Sequence, residues 1–355
     1  MQHKIVIRKM RKNIILKVIF FIMPIILAGG CLKDNPNPVD SFVTSDEINM
    51  LIYLESHGDV INSPATESTF VNAQALFSNL SSYVVLDIRV PQLFAGGHIS
   101  GAINIQSSDL LAKVKSIDTA NVILVSQNGQ SASYYGGLLR LDGISNVYVL
   151  KFGMAGWNSQ FATQWNDIVK ATPSGYQYFN NVKYNKGSYT DLPNVKLGSG
   201  SNIKTQIENR IQSLLTEKFA DGDMYDASTT TELTILPGDA FNSSIYSLVD
   251  STFGDQYVAC YDAPSVYTPG GPADVTIPQH PPHSAQYTYY HALKSIYYLQ
   301  TIPSNKQVVV YSLDGHQSAF ATAYLKLLGY NVKSVLFGAT WLSPFPGSMN
   351  YPYVN

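Results

Sequence analysis

The residues of this 355-residue chain whose types and spacing could do chemistry fall in two short loops, Ser126-Gln127-Asn128-Gly129-Gln130-Ser131 and Ser312-Leu313-Asp314-Gly315-His316-Gln317. Each puts a serine after an apolar run, a glycine three residues on and a helical pattern beyond, so backbone N–H groups would converge at a helix start. Such a nest favours a small anion through its donors and the helix dipole, and it depends on Gly129 or Gly315 rather than on the serine. Asp314 would oppose an anion in the second loop; an empty loop that only closes the fold is the plain alternative. A serine nucleophile needs, in addition, a positioned base and a group to orient it. The first loop offers only Gln127, Asn128 and Gln130, whereas the second has His316 four residues from Ser312, with Asp314 between. A loop histidine beside a serine is more often a solvated side chain than a base, so serine hydrolysis is not the expected chemistry.

Other chemically able residues are few. Cys260 lies in an apolar run and reads as a buried, inert thiol, since reactive thiols need electropositive, exposed surroundings. His280-Pro281-Pro282-His283 offers two imidazoles, but the prolines stiffen the loop and no carboxylate or cysteine cluster adjoins it. No metal centre is expected there, and no motif requires a cofactor. The chain has 24 tyrosines; they crowd the stretches 173–201 and 287–298, where exposed rings would suit protein binding.

The elements that must position the loops recur along the chain. VILVSQNGQSASYYGGLLRLDG from Val122 aligns with VVVYSLDGHQSAFATAYLKLLG from Val308 at a constant offset of 186 residues, matching Ser126 with Ser312, Gly129 with Gly315 and Gly143 with Gly329. One residue is lost past the helix, so Gly153 corresponds to Gly338, and a second is lost before the tryptophan, so Trp157 corresponds to Trp341. A repeat of this length is a duplicated domain rather than a solenoid unit. Continuous apolar runs at Val122–Val125 and Val308–Tyr311 suit buried parallel strands. Leu138, Leu139 and Leu141, and Leu325, Leu327 and Leu328, supply apolar faces for the following helices, and Gly143 and Gly329 stand where left-handed caps would end them. Val147–Leu150 and Ser334–Phe337 read as the next strands. Strand, helix, strand in this order predicts an α/β fold, each copy a central, mostly parallel sheet flanked by helices. A helix around Ile48, Leu51 and Ile52 follows Ser45. Ile203, Ile207, Ile211, Leu214 and Leu215 mark another, with Thr205 and Glu208 as its capping box.

YVVLDIRVPQLFAGGHISGAINIQ from Tyr83 resembles the rhodanese signature, in which a strand ending in Asp-x-Arg leads to a Gly-His-Ile-x-Gly-Ala-Ile-Asn turn. Asp87, Arg89, Gly97, His98, Ile99, Gly101, Ala102, Ile103 and Asn104 occupy those places. In the second copy only Tyr267, Gly271 and Ile277 of YVACYDAPSVYTPGGPADVTIPQ are recognisable, and Cys260 falls in the strand corresponding to the Asp-x-Arg one, while its loop and helix resemble the family as closely as the first. The resemblance implies two tandem rhodanese-like domains. It also implies a loop whose first residue, in the related sulfurtransferases, is a cysteine that carries sulfur. Ser126 and Ser312 stand in that place. A thiol of pKa ~8.5 can be tuned to a thiolate and can hold a second sulfur; a hydroxyl does neither. No catalytic residue carries over; Asp87 and Arg89 are implied to pair or to brace the loop edge, and His98 to organise its turn.

Lys4, Arg8, Lys9, Arg11, Lys12 and Lys17 precede an apolar stretch from Val18 to Ala28. This is the pattern of an export signal, and it is shorter than the ~20 apolar residues of a permanent span. Leu27-Ala28-Gly29-Gly30-Cys31 resembles a bacterial lipobox, which implies a lipid on Cys31, although Ala28 stands where leucine is usual. LKDNPNPVDSF after it is a polar tether. The whole chain has 23 basic and 25 acidic side chains; with those six basic residues confined to the signal, the body is acidic and unsuited to nucleic acid. The expected organisation is a signal over 1–30, a tether over 31–45, rhodanese-like domains over 46–172 and 203–350, and a linker over 173–202. The expected function is a lipid-anchored protein of the bacterial envelope, at the outer membrane, without classical sulfurtransferase activity, binding a partner protein or a small anion. The alternatives are a sulfur or oxyanion enzyme with a non-standard nucleophile, and a structural subunit of an outer-membrane assembly.

Overall fold

Short β-branched runs alternate with helices, and in the computed structural model they assemble into two parallel sheets. The structure describes residues 45–117, 119–163, 165–166, 186–187, 191–200, 202–219, 234–235, 256–261, 284–287, 292–338 and 347–355. Residues 1–44, which include the signal, Cys31 and nearly all of the tether, lie outside the described residues. So do Tyr267, Gly271, Ile277, His280, His283, Trp341 and most of the stretch 173–202. Among the described residues no helix is long and apolar enough to cross a membrane.

In the first sheet, Phe70–Val71 (β1), Tyr83–Asp87 (β2), Ile103–Asn104 (β3), Asn121–Val125 (β4) and Val147–Leu150 (β5) pair in the order β1-β5-β4-β2-β3. In the second, Thr234–Ile235 (β6), Gln256–Tyr261 (β7), Ala285–Tyr287 (β8), Gln307–Tyr311 (β9) and Val332–Val335 (β10) pair in the order β6-β10-β9-β7-β8. Every pairing is parallel, and the two orders coincide strand for strand. The register coincides too: Asp87 lies opposite Asn104 and Val125, and Cys260 lies opposite Gln286 and Tyr311. The central strand β4 is fully buried from Val122 to Val125, which is why it reads as an unbroken apolar run rather than an alternating one.

The helices are Asp46–Ser56 (α1), Ala73–Ser78 (α2), Pro91–Ala95 (α3), Leu110–Lys115 (α4), Gln130–Leu141 (α5), Gly153–Trp157 (α6), Ile203–Leu214 (α7) and His316–Leu327 (α8). Helix α5 is buried at every residue but Arg140, and α8 at every residue but Lys326. A helix without a solvated face belongs to a core, and these two supply it to each other: bare Gly137 faces Phe320 and Ala323 across the crossing. One hydrophobic cluster runs from Leu124 and Leu138 through this contact to Phe320 and Val310. A second covers the other face of the first sheet with Val85, Ile123, Val125, Met154 and Trp157. Gly143 and Gly329, each at φ 91, follow the ends of α5 and α8.

Three expectations need correction. The strand placed at Ser334–Phe337 is Val332–Val335, because the chain leaves the sheet early to turn through left-handed Phe337, φ 61. Helix α7 is capped not by a Thr205–Glu208 box but by Asn202, whose side chain accepts the Thr205 N–H at 3.0 Å, while Glu208 pairs with Lys115 at 2.7 Å. Helix α1 packs through Met50, Leu51 and Leu54; Ile48 and Ile52 of its expected apolar face are 42% and 59% exposed.

Candidate functional site

Ser126 and Ser312 stand directly after β4 and β9, each followed by a tight turn into a helix. Gly129 at φ 83 and Gly315 at φ 79 precede α5 and α8, and only a glycine takes this left-handed conformation at little cost. Both hydroxyls are fully buried and face the helix start. Ser126 Oγ accepts N–H groups from Gly129 at 3.0 Å and Ala132 at 3.4 Å, and Ser312 Oγ accepts the equivalent Ser318 N–H at 3.0 Å. The donors that would greet an anion are in part already bonded to the serines.

The remaining space over each glycine is filled from the other half of the molecule. Gln130, first residue of α5, reaches into the second loop. Its Nε2 donates to Val335 O at 2.8 Å and Ser334 Oγ at 3.1 Å, and its Oε1 accepts the Phe337 N–H at 2.8 Å. A Cβ on Gly315 would fall 2.8–2.9 Å from that amide. His316, first residue of α8, does the converse: its Nε2 lies 3.1 Å from both Phe152 N and Asn128 O, and 2.6 Å from where a Cβ on Gly129 would stand. Its ring meets Phe152 edge-on at 4.9 Å. Its Nδ1 lies 3.2 Å from Asp314 Oδ1.

These contacts correct one expectation. His316 is not solvated but 1% exposed, since the packing of α5 against α8 leaves it no route to water. In each loop a side chain of the opposite half stands over the glycine, His316 over Gly129 and Gln130 over Gly315. Asp314 is no isolated negative charge either: it lies 3.0 Å from Lys151 Nζ and accepts the His316 N–H at 3.1 Å. Burial alone would raise the Asp314 carboxyl, but His316 and then Lys151 outweigh it and hold it far below the usual carboxylate range. For Lys151 burial works downward, and Asp314 followed by Glu67 reverses it, so the ammonium is held above its ordinary value.

Beside the first loop, Asp87 and Arg89 form a fork-to-fork pair inside the protein. Arg89 Nη2 donates to Asp87 Oδ2 at 2.7 Å and Nε to Oδ1 at 3.0 Å. Nη2 also reaches Gly97 O at 2.7 Å, and Nη1 reaches Gln127 Oε1 at 3.2 Å. The guanidinium thus ties the end of β2, the Gly97 turn and the first loop together, while Gln127 Nε2 donates onward to Phe161 O at 2.8 Å. A cavity of about 330 Å³ lies alongside, lined by Arg89, Gln127, Gln160 and Phe161. His98 stacks on Phe94 with ring centroids 3.8 Å apart and bonds through Nδ1 to the Phe94 carbonyl. Asn128 and Ser131 are buried in the first loop; in the second, Gln317 is buried and donates to Glu67 Oε2, and Leu313 is 41% exposed. Among the described residues no group of three or more histidine, cysteine or acidic side chains could hold a metal ion. The roles of Gln130 and His316 as plugs escaped the sequence reading, although their equal place in the repeat was a usable signal.

The model of the rhodanese-like domain matches residues 72–160. Two thiosulfate sulfurtransferases named GlpE are similar to part of the chain. That of Pseudomonas entomophila (strain L48) is 34% identical over 89 residues, 25% of this chain and 82% of the relative. That of Ectopseudomonas mendocina (strain ymp) is 37% identical over 93 residues, 26% and 84% respectively. A rhodanese-related protein of Thermoplasma volcanium, solved by crystallography, is 28% identical and covers 24% of this chain and 84% of its own, with a TM-score of 0.22. The chain belongs to the rhodanese-like family, with the family's α/β fold around a central parallel sheet.

Proposed function

We propose that the chain is a tandem rhodanese-like lipoprotein of the bacterial envelope that lacks sulfur transfer and holds a partner protein. The observation that carries this reading is the mutual closure of the two loops, with Gln130 over Gly315 and His316 over Gly129. A substrate anion would have to displace both a buried side chain and the hydrogen bonds it makes. Ser126 and Ser312 stand where the family carries cysteine, so the loops offer oxygen to a reaction that needs a thiolate. The repeat at an offset of 186 residues and the coincident strand orders support rhodanese-like domains over 46–172 and 203–350, joined by 173–202. The run Leu27–Cys31 supports a lipid on Cys31 and, with the preceding signal, a place at the outer membrane. The test is thiosulfate-to-cyanide sulfur transfer by the mature protein. Background turnover is expected; turnover lost in Cys260→Ser would overturn the reading.

A second reading, an active sulfurtransferase, is favoured by the names of the GlpE relatives. The chain holds two cysteines, Cys31 and Cys260, so this reading requires Cys260 to act if Cys31 carries lipid. The same assay separates the two readings.

A further inference from the structure

The segment Gly347–Asn355 follows the second sheet in sequence, yet its hydrogen bonds and ring contacts, among the described residues, go to the first half of the molecule. Main-chain groups lead. Met349 N–H donates to Gly156 O at 3.1 Å and Tyr351 N–H to Trp157 O at 3.0 Å, while Val354 and His98 exchange both of their main-chain bonds at 2.8 and 2.9 Å as an antiparallel bridge. Side chains of the first half complete the dock: Trp157 Nε1 donates to Pro352 O and Asn158 Nδ2 to Tyr351 O, both at 2.9 Å. The two tyrosines that flank Pro352 fill separate aromatic slots. Tyr351 stacks on Phe77 with centroids 4.1 Å apart and planes 7° apart, and lies 5.1 Å from Trp157. Tyr353 meets Phe161 edge-on at 5.0 Å and bonds through its hydroxyl to Gln160 Oε1. Its ring also covers Gly97, where a Cβ would stand 2.7 Å from it and where φ is 138.

Main-chain bonds along an extended segment, with alternate side chains in pockets, are how proteins recognise extended peptides. We propose that the surface formed by Phe77, Trp157, Asn158, Phe161 and the Gly97–His98 turn is a recognition site for an extended Tyr-Pro-Tyr peptide, filled in cis by Tyr351-Pro352-Tyr353. The site is wired to the first loop. Gly97, under Tyr353, gives its carbonyl to Arg89, and Phe161 gives its carbonyl to Gln127. A peptide that replaces the cis segment therefore bears on the same brace that holds Gln127.

The experiment uses the full chain carrying Tyr351→Ala and Tyr353→Ala, and a labelled synthetic peptide of residues 348–355, followed by fluorescence anisotropy. The double variant is expected to bind the peptide saturably and at least tenfold more tightly than the unaltered chain, where the cis segment competes. A peptide with both tyrosines replaced by alanine should bind at least tenfold more weakly. Should the double variant lose its fold, the unaltered chain with excess peptide serves instead, read by faster amide hydrogen exchange at Tyr351 and Val354. Dimers of the unaltered chain that dissociate on adding the peptide would also support recognition in trans, the segment then coming from a second copy. No saturable binding to a folded double variant, or equal binding of native and alanine peptides, would overturn the proposal; so would unchanged exchange in the unaltered chain under excess peptide.

Discussion

Gln130 and His316 hold equivalent places in the repeat, and each accepts the main-chain N–H of a left-handed phenylalanine in the opposite half. Gln130 Oε1 takes it from Phe337, φ 61, at 2.8 Å, and His316 Nε2 from Phe152, φ 63, at 3.1 Å. Two different side chains thus do the same work on either side of the α5–α8 contact. The reason is geometric: the first residue of each helix points past its own glycine into the neighbour's turn, and an unpaired, buried N–H is costly to leave behind.

Gln130→Ala strips that partner from the Phe337 N–H and removes the amide that donates to Ser334 Oγ and Val335 O. A buried donor left unsatisfied costs about 1–3 kcal/mol, so a loss of ~2 kcal/mol in urea unfolding is expected. Exposed Gln74→Ala should stay within about 0.5 kcal/mol. Equal, small effects of both changes would mean that the Gln130 contacts do not hold the halves together.

Asp314 gives the acid limb of stability a source. Its folded carboxyl is held below the ordinary value, burial being outweighed by His316 and Lys151. The contribution is therefore fully present above the unfolded value of ~3.9 and is lost as pH falls below it toward the folded value. Thermal unfolding of Asp314→Asn should show a lower Tm than the unaltered protein near neutral pH and a shallower decline into acid. A parallel decline in both proteins would remove Asp314 from the account.

Arg89 is the other charge whose loss should be severe. Arg89→Met leaves the buried Asp87 carboxylate without its counter-charge, which typically costs about 3–5 kcal/mol. Arg89→Lys should rescue little, because an ammonium cannot serve Asp87, Gly97 and Gln127 from one planar fork. Adding Asp87→Leu to Arg89→Met should recover part of the loss, since the orphaned charge goes with it. Chemical denaturation of the three variants checks the order, and a double variant no better than Arg89→Met would count against a charge-driven penalty.

The parallel sheets were legible in the sequence because buried parallel strands must be continuous apolar runs; Val122–Val125 and Val147–Leu150 announce themselves. The loops were legible as well, since Gly129 and Gly315 fix the turn by conformation alone. What fills those loops was not. Contacts between α5 and α8 join residues more than 180 apart, and periodicity carries no information about which polar side chain crosses. His316 looked like a solvated loop residue because local sequence shows its neighbours in the chain, not the Phe152 ring that covers it. Asn202 won the α7 cap over Thr205 because its carboxamide oxygen reaches the Thr205 N–H at 3.0 Å. The closing segment was missed for the same reason: Tyr351-Pro352-Tyr353 has no periodicity, and its partners lie in the first half.

The most direct measurement of the closed, sulfur-free loop is mass spectrometry of Ser126→Cys after exposure to thiosulfate, with and without His316→Gly. In the reaction the introduced thiolate would take the outer sulfur and release sulfite, adding one sulfur atom to the chain. The account predicts no adduct on Ser126→Cys alone, because His316 closes the loop, and a clear adduct when His316→Gly is added. Equal labelling of both variants would contradict the plug, and no labelling of either, with both folded, would contradict the resemblance of the loop to the one that carries sulfur in the related sulfurtransferases.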